Sequence, residues 1–167
     1  MGLRRVLLYA VFALNVYMLL VIILFKISIP QLNSIVQQIQ LVMERPSMLE
    51  GRWLTANFTP FATIKESFSR NLAPIQWLNL YGNIAIFIPT GLIAAILYAK
   101  HPFTNAVFVS FIISLSLESL QLFLLMGSFD IDDLLLNTSG GAVGGLLALI
   151  VFRLRGPAKA VTAEESI

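Results

Sequence analysis

The chain of 167 residues is 57% hydrophobic and 12% charged, with a mean hydropathy of +0.84 and a formal net charge of +2. Soluble domains carry about 25% charged residues, so this composition excludes an ordinary soluble domain and points to a membrane protein; scattered basic residues without a nucleic-acid motif suit anionic lipid headgroups, not nucleic acid. The absence of cysteine and the single histidine exclude disulfides, thiol catalysis and the usual zinc-ligand sets, and neither a metal nor another cofactor is expected.

Residues 6–25 form the first apolar run long enough to span a bilayer, which takes about 20 residues. Arg4 and Arg5 precede it as they would a signal peptide, but the run is too long and no small-residue cleavage site follows, so it reads as an uncleaved spanning helix. The segment 31–76 cannot span, because Glu44, Arg45, Glu50, Arg52, Lys65, Glu66 and Arg70 interrupt it. Within it, Leu32, Ile35, Val36, Ile39, Val42 and Met43 recur at three- and four-residue spacing, which predicts an amphipathic helix on the membrane surface, ended by Pro46. Trp53, Phe58 and Phe61 follow and are placed at headgroup depth.

Three further spans are predicted at about 80–99, 106–126 and 134–152, with a short tail at 153–167. Pro89, with Thr90 and Gly91, falls in the middle of the second span and predicts a kink there. His101, beside Pro102 in the turn that follows, reads as a solvated residue. In the last span, Gly140, Gly141, Gly144 and Gly145 make overlapping G-x-x-x-G pairs, the spacing that lets helix backbones approach closely. The expected fold is an all-α integral membrane protein: four transmembrane helices, plus an extracytoplasmic amphipathic or interfacial helical segment between the first and second, in one domain over residues 1–167.

With four spans, Arg4, Arg5, Lys100, Arg153, Arg155 and Lys159 fall on one side, and the short turn "FDIDD" on the other side carries acids only. The positive-inside rule then puts both termini in the cytoplasm and the acids outside. Glu118 lies on the third span about 12 Å beneath the outer boundary at 1.5 Å rise per residue. Ser114, Glu118, Gln121 and Leu125 share one helix face, Asn79 and Asn83 enter on the second span, and Asn137 follows Asp133 by one turn. An ionisable residue at that depth costs several kcal/mol unless it faces protein or water, so these groups are expected to line an outward-opening polar pocket. A structural alternative stands beside that reading. Asn83, Gln121 and Asn137 serve as interhelical hydrogen-bond partners, and Asp130, Asp132 and Asp133 cap the last helix.

Four stretches carry a resemblance: "NFTPFATI" at 57–64, "NLYGNIAIFIPTGL" at 79–92, "SLSLESLQLFL" at 114–124 and "FDIDDLLLNTSGGAVGG" at 129–145. In order and spacing they resemble the VanZ family of bacterial membrane proteins, whose pattern runs T-P-F, G-N-x-x-x-F-x-P-x-G, E-x-x-Q and D-x-x-D-x-x-x-N-x-x-G. Carried onto this chain, the pattern falls on the loop motif Thr59, Pro60 and Phe61, then on Gly82, Asn83, Phe87, Pro89, Gly91, Glu118, Gln121, Asp130, Asp133, Asn137 and Gly140. The candidate ligand pocket is therefore Asn83, Glu118, Gln121, Asp130, Asp133 and Asn137, with Gly82, Pro89 and Gly91 joining the glycines of the last span in helix packing. Asp132 is outside the pattern, and a mild effect is expected of Asp132→Asn.

The resemblance implies a multi-pass protein of the bacterial plasma membrane. It also implies an association with lowered susceptibility to teicoplanin, a lipid-bearing glycopeptide antibiotic. The implied partners are membrane lipid and either a lipid-linked cell-wall precursor or the lipoglycopeptide itself. Two other classes use the same residues. A membrane-embedded hydrolase or modifying enzyme would set Glu118, Asp130 and Asp133 on a lipid-linked substrate, either around a shared divalent cation or as an acid and base pair. An ion- or proton-coupled transporter would use a buried Glu118, but the cytoplasmic halves of the spans offer almost no polar residues to complete a path.

Overall fold

The computed structural model describes residues 2–25, 32–69 and 74–155. Among them are seven helices and no strand: α1 Leu3–Phe25, α2 Leu32–Glu44, α3 Ser47–Thr55, α4 Ala62–Ser69, α5 Pro74–Leu97, α6 Pro102–Phe123 and α7 Ile131–Arg155. Four of these, α1, α5, α6 and α7, are long and apolar enough to cross a membrane. They correspond to the four expected spans with earlier starts; α5 and α6 end before the expected bounds of 99 and 126, while α7 runs past 152. In hydrocarbon every backbone N–H and C=O must be satisfied internally, which an unbroken helix does. The expected tail lies, from residue 156 on, outside the described residues, as do residues 31 and 70–73 of the expected interfacial segment.

Helix directions follow from the side-chain contacts. Asn137 of α7 meets Ser114 of α6, while Gly141 and Gly145 meet Ser110 and Ala106, so these two helices are antiparallel. Gly140 and Gly144 meet Ile84 and Ile88, so α7 and α5 run the same way. The fourth helix, α1, runs with α6: its Asn15 accepts a hydrogen bond from Thr90 Oγ1 at 2.7 Å, and its Ile23 carbonyl accepts one from Gln121 Nε2 at 3.0 Å. One end of the bundle thus collects the start of α1, the α5–α6 turn and the end of α7, and with them Arg4, Arg5, Lys100 and Arg153. The other end collects α2, α3, α4 and the α6–α7 turn.

Glycines make α7 the central helix. A Cβ on Gly140 or Gly144 would overlap the carbonyl oxygen of Ile84 or Ile88 on α5, and one on Gly141 or Gly145 would run into Ser110 or Ala106 on α6. Two adjacent stripes of glycine therefore bring two neighbouring helices to backbone distance within one chain. Gly91 completes the contact from the α5 side, against the backbone of Gly141. Gly82 and Pro89 depart from the packing role expected of them: a Cβ on Gly82 would meet nothing within 4 Å, and Pro89 is exposed. The reason is angular. Gly82 and Pro89 are seven residues apart and share a face, which at about 100° per residue points away from the Ile84, Ile88 and Gly91 stripe.

α1 is the peripheral span and buries only Leu19 and Leu24. Those two pack with Phe87 of α5 and Leu117 of α6 in one apolar cluster. The large apolar side chains left exposed on the spans, among them Leu14, Phe108, Leu146 and Ile150, are those a hydrocarbon environment would cover. The interfacial segment forms three short helices where the sequence predicts one helix and an aromatic stretch. α2 stops at Glu44, and Pro46 stands immediately before α3. Its aromatic residues are clustered: Trp53 lies 4.9 Å from Phe58 and Phe58 5.3 Å from Phe129, while Trp77 contacts Phe68 at 5.1 Å and Tyr81 at 5.7 Å.

Candidate carboxylate site at the loop-bearing end

α6 ends at the level of this site by adopting a left-handed residue. Leu125 has φ of 53°, and Met126 N–H returns to the Gln121 carbonyl at 3.0 Å, the wrapped-back hydrogen bond that usually follows a glycine. The chain then turns back into α7 within a few residues, which sets the acids after the turn beside the acid before it. Asp130 N–H donates to Glu118 Oε2 at 3.0 Å, across the turn. Glu118 is 1% exposed, so that carboxyl is held inside protein.

The three aspartates go to three different helices. Asp130 is the N-cap of α7, its Oδ1 accepting Asp132 N–H at 2.8 Å. The same carboxylate accepts Asn57 Nδ2 at 2.8 Å and Thr63 Oγ1 at 2.7 Å. Asn57 also exchanges backbone hydrogen bonds with the turn, donating to the Phe129 carbonyl at 2.9 Å and accepting Ile131 N–H at 3.0 Å. Asp132 is fully buried and caps α4 instead of its own helix, accepting Phe61 N–H at 2.5 Å and Ile64 N–H at 3.0 Å. Asp133 points to α5 and accepts Asn83 Nδ2 at 2.6 Å.

The Thr59-Pro60-Phe61 loop is thereby bolted to the start of α7. Thr59 N–H donates to Asn57 Oδ1 at 3.0 Å, an Asx turn, and Phe61 sits at φ of 65° with its ring exposed. A left-handed phenylalanine is sterically unfavourable and persists where its surroundings hold it. Here the Asp132 carboxylate on its N–H does so.

Beneath the carboxylates a polar column continues into the bundle. Asn137, 1% exposed, donates through Nδ2 to Ser114 Oγ at 2.9 Å, while its Oδ1 and the hydroxyl of Ser110 are buried without a partner among the described residues. Such atoms are commonly met by ordered water or by a ligand. Gln121, in contrast, faces α1, where its amide satisfies the Ile23 carbonyl that the helix end leaves unpaired. The candidate residues Asn83, Glu118, Asp130, Asp133 and Asn137 are therefore brought together, and Gln121 lies at their edge as a helix cap. No three acidic or histidine side chains among the described residues are grouped closely enough to hold a metal ion.

Sequence reasoning gave no role to Asn57 or Thr63, and it read Asp132 as a cap of its own helix where the carboxylate in fact caps α4. Asn57 two residues before Thr59-Pro60 is a turn signal, and it was legible as such. Nothing in spacing tells which of two neighbouring aspartates reaches across to another helix. Asp132→Ala should leave two backbone N–H groups unpaired, one of them at a strained residue, for a loss of about 1–3 kcal/mol. In detergent this is expected to lower the melting temperature and to make the 57–64 loop more sensitive to protease, with Asp132→Asn intermediate because one acceptor oxygen is kept. Such an effect replaces the mild one expected from the sequence.

A family model described as VanZ/LLP1 matches residues 12–153, a range that contains the whole of this site and the four spans apart from the first turns of α1 and the last residues of α7. Neither a curated protein nor a solved structure gives a match.

Proposed function

The chain belongs to the VanZ/LLP1 family of membrane proteins, and from that premise we propose that it lowers susceptibility to teicoplanin-type lipoglycopeptides by binding at its loop-bearing end. The ligand is a lipid-linked envelope molecule or the acyl-bearing antibiotic itself. Bacterial plasma membrane is the proposed location. Both termini are cytoplasmic, because the end bearing Arg4, Arg5, Lys100 and Arg153 is the basic one, and the carboxylate end faces outward.

The observation that carries this reading is a buried Glu118 with Asp130 and Asp133 around it and, among the described residues, no basic side chain bonded to any of the three. Carboxyls placed against hydrocarbon without a cation cost more than packing requires. Ligand groups that donate hydrogen bonds, such as amides, sugar hydroxyls or ammonium, would offset that cost. The buried Asn137 Oδ1 and Ser110 hydroxyl, without partners among the described residues, extend the same polar demand inward. The shared-cation form of the enzymatic alternative lacks a three-carboxylate group among the described residues, which favours binding over metal-assisted hydrolysis.

Purified protein should bind fluorescent teicoplanin or an envelope-lipid fraction saturably, and Glu118→Gln should reduce that binding at least tenfold, the size of one lost charge-assisted contact, about 1.4 kcal/mol. Equal binding by wild type and variant, or no saturable binding to either class, would remove the carboxylate site from the account.

A further inference from the structure

A second cavity at the same end, formed by other residues, has a different chemistry. It is about 550 Å³, within the ~300–1,000 Å³ of small-ligand sites, and is walled by Gln38 and Leu41 of α2, Met48, Gly51 and Arg52 of α3, and Leu125. Leu125 stands two residues beyond α6, so the cavity lies level with the end of an apolar span, where headgroups meet hydrocarbon. Arg52 is half-buried. Among the described residues its Nη2 reaches only the Leu125 carbonyl, at a long 3.4 Å, and it pairs with no carboxylate. A guanidinium carries five N–H donors, and a cation drawn partly out of water without a counter-charge is costly. Opposite it on α2, Gln38 Oε1 is buried without a donor among the described residues. The cavity therefore offers a cation, an unpaired acceptor and an apolar wall of Leu41, Met48 and Leu125. Gly51 lines it from within α3, and a Cβ at that position would meet nothing within 4 Å, so a larger side chain there has room to enter the cavity.

We propose that this cavity holds the headgroup of an anionic, hydroxyl-bearing phospholipid, its phosphate on Arg52, a headgroup hydroxyl donating to Gln38 Oε1, and the first methylenes of its acyl chains against Leu41, Met48 and Leu125. Phosphate and guanidinium match in charge and geometry. The headgroup hydroxyl supplies the donor that Gln38 lacks, which a choline headgroup cannot do. None of this rests on the carboxylate site.

The test is lipid titration of the full-length protein in neutral detergent, read by native mass spectrometry with phosphatidylglycerol, phosphatidic acid and phosphatidylcholine. Wild type is expected to bind phosphatidylglycerol most tightly. Arg52→Gln should weaken it about tenfold, as expected for a lost charge-assisted contact, and leave phosphatidylcholine unchanged. Gly51→Leu should do the same with Arg52 intact, because it fills the cavity from a helical position with free space and a better helix former. Gln38→Leu should erase the preference for phosphatidylglycerol over phosphatidic acid. At the opposite end, Arg5, Lys100 and His101 line a cavity of about 610 Å³ that also suits anionic lipid. The readout is therefore the Arg52-dependent equivalent, with Arg5→Gln as the control that keeps it. Glu118→Gln should leave it untouched, which separates failure here from failure of the carboxylate reading. Unchanged phosphatidylglycerol binding in both Arg52→Gln and Gly51→Leu overturns the proposal. So does displacement of the bound lipid by glycerol 3-phosphate as readily as by phosphatidylglycerol, which would assign the cavity to a free phosphate.

Discussion

Gly144→Leu is expected to cut the amount of protein in the membrane by tenfold or more, with whatever remains failing to show a cooperative melt in detergent. Gly144 faces α5 at a point where even a single Cβ would overlap the Ile88 carbonyl and the Leu92 N–H region. Backbone cannot step aside as a flexible side chain can. To admit leucine, α5 and α7 must separate along their length, and that separation also opens the contacts at Gly140 and Gly91. Overpacking by one or two methylenes in a tight core costs about 1–3 kcal/mol, and a forced separation of two helices exceeds that, against a total stability of about 5–15 kcal/mol. Gly144→Ala should therefore already be measurable. The matching control is Gly82→Leu on α5, where a Cβ meets open space; its abundance should equal wild type. Quantitative blots of membrane fractions with both variants decide the matter. Equal abundance of Gly144→Leu and Gly82→Leu would mean that the glycine stripes are not what holds α7 between its neighbours.

Those glycines show how much the sequence disclosed about the fold. Run length and apolar content located all four spans, because the bilayer imposes a length and forbids unpaired backbone. The G-x-x-x-G spacing located the close contact on α7. What it left open was whether the partner helix belongs to the same chain, and that depends on where α5 and α6 lie in space. Gly82 shows the converse: it belongs to the same pattern block as Gly91, yet nine residues at about 100° each put the two on opposite sides of α5. Only the position of α7 decides which of those sides is packed.

The site was legible in its membership and obscure in its wiring. Glu118, Asp133 and Asn137 could be placed together from helix depth and helical spacing. The destinations of the aspartates could not, since a carboxylate at a helix start can cap its own helix, another helix or neither. Asp130 serves α7, Asp132 reaches α4 and Asp133 reaches α5. Asp130 and Asp132 are largely spent on joining the 57–64 loop to the bundle. That leaves Glu118 and Asp133 as the carboxylates on which the functional reading depends.

Glu118→Gln and Asp133→Asn are accordingly the variants that should separate function from scaffold. Glutamine keeps the size of Glu118 and an acceptor oxygen for the Asp130 N–H, so the turn between α6 and α7 retains its hydrogen bond. Asparagine at 133 likewise keeps an acceptor for Asn83 Nδ2. Both should reach the membrane at wild-type abundance and melt within a few degrees of wild type. What each removes is the capacity to carry a negative charge and to accept through both oxygens. If these groups meet a ligand, a teicoplanin-susceptible host expressing either variant should be as susceptible as one carrying an empty vector, while wild type at matched abundance protects it. A carboxyl kept only for packing predicts the reverse, with both variants protecting as well as wild type. Full protection by Glu118→Gln and Asp133→Asn at matched abundance would reduce Glu118, Asp133 and Asn137 to interhelical hydrogen bonding, and the binding reading would fall with them. Asp132→Ala gives the third pattern. Its loss of protection should follow its loss of abundance in proportion, because that carboxylate acts only by holding the loop.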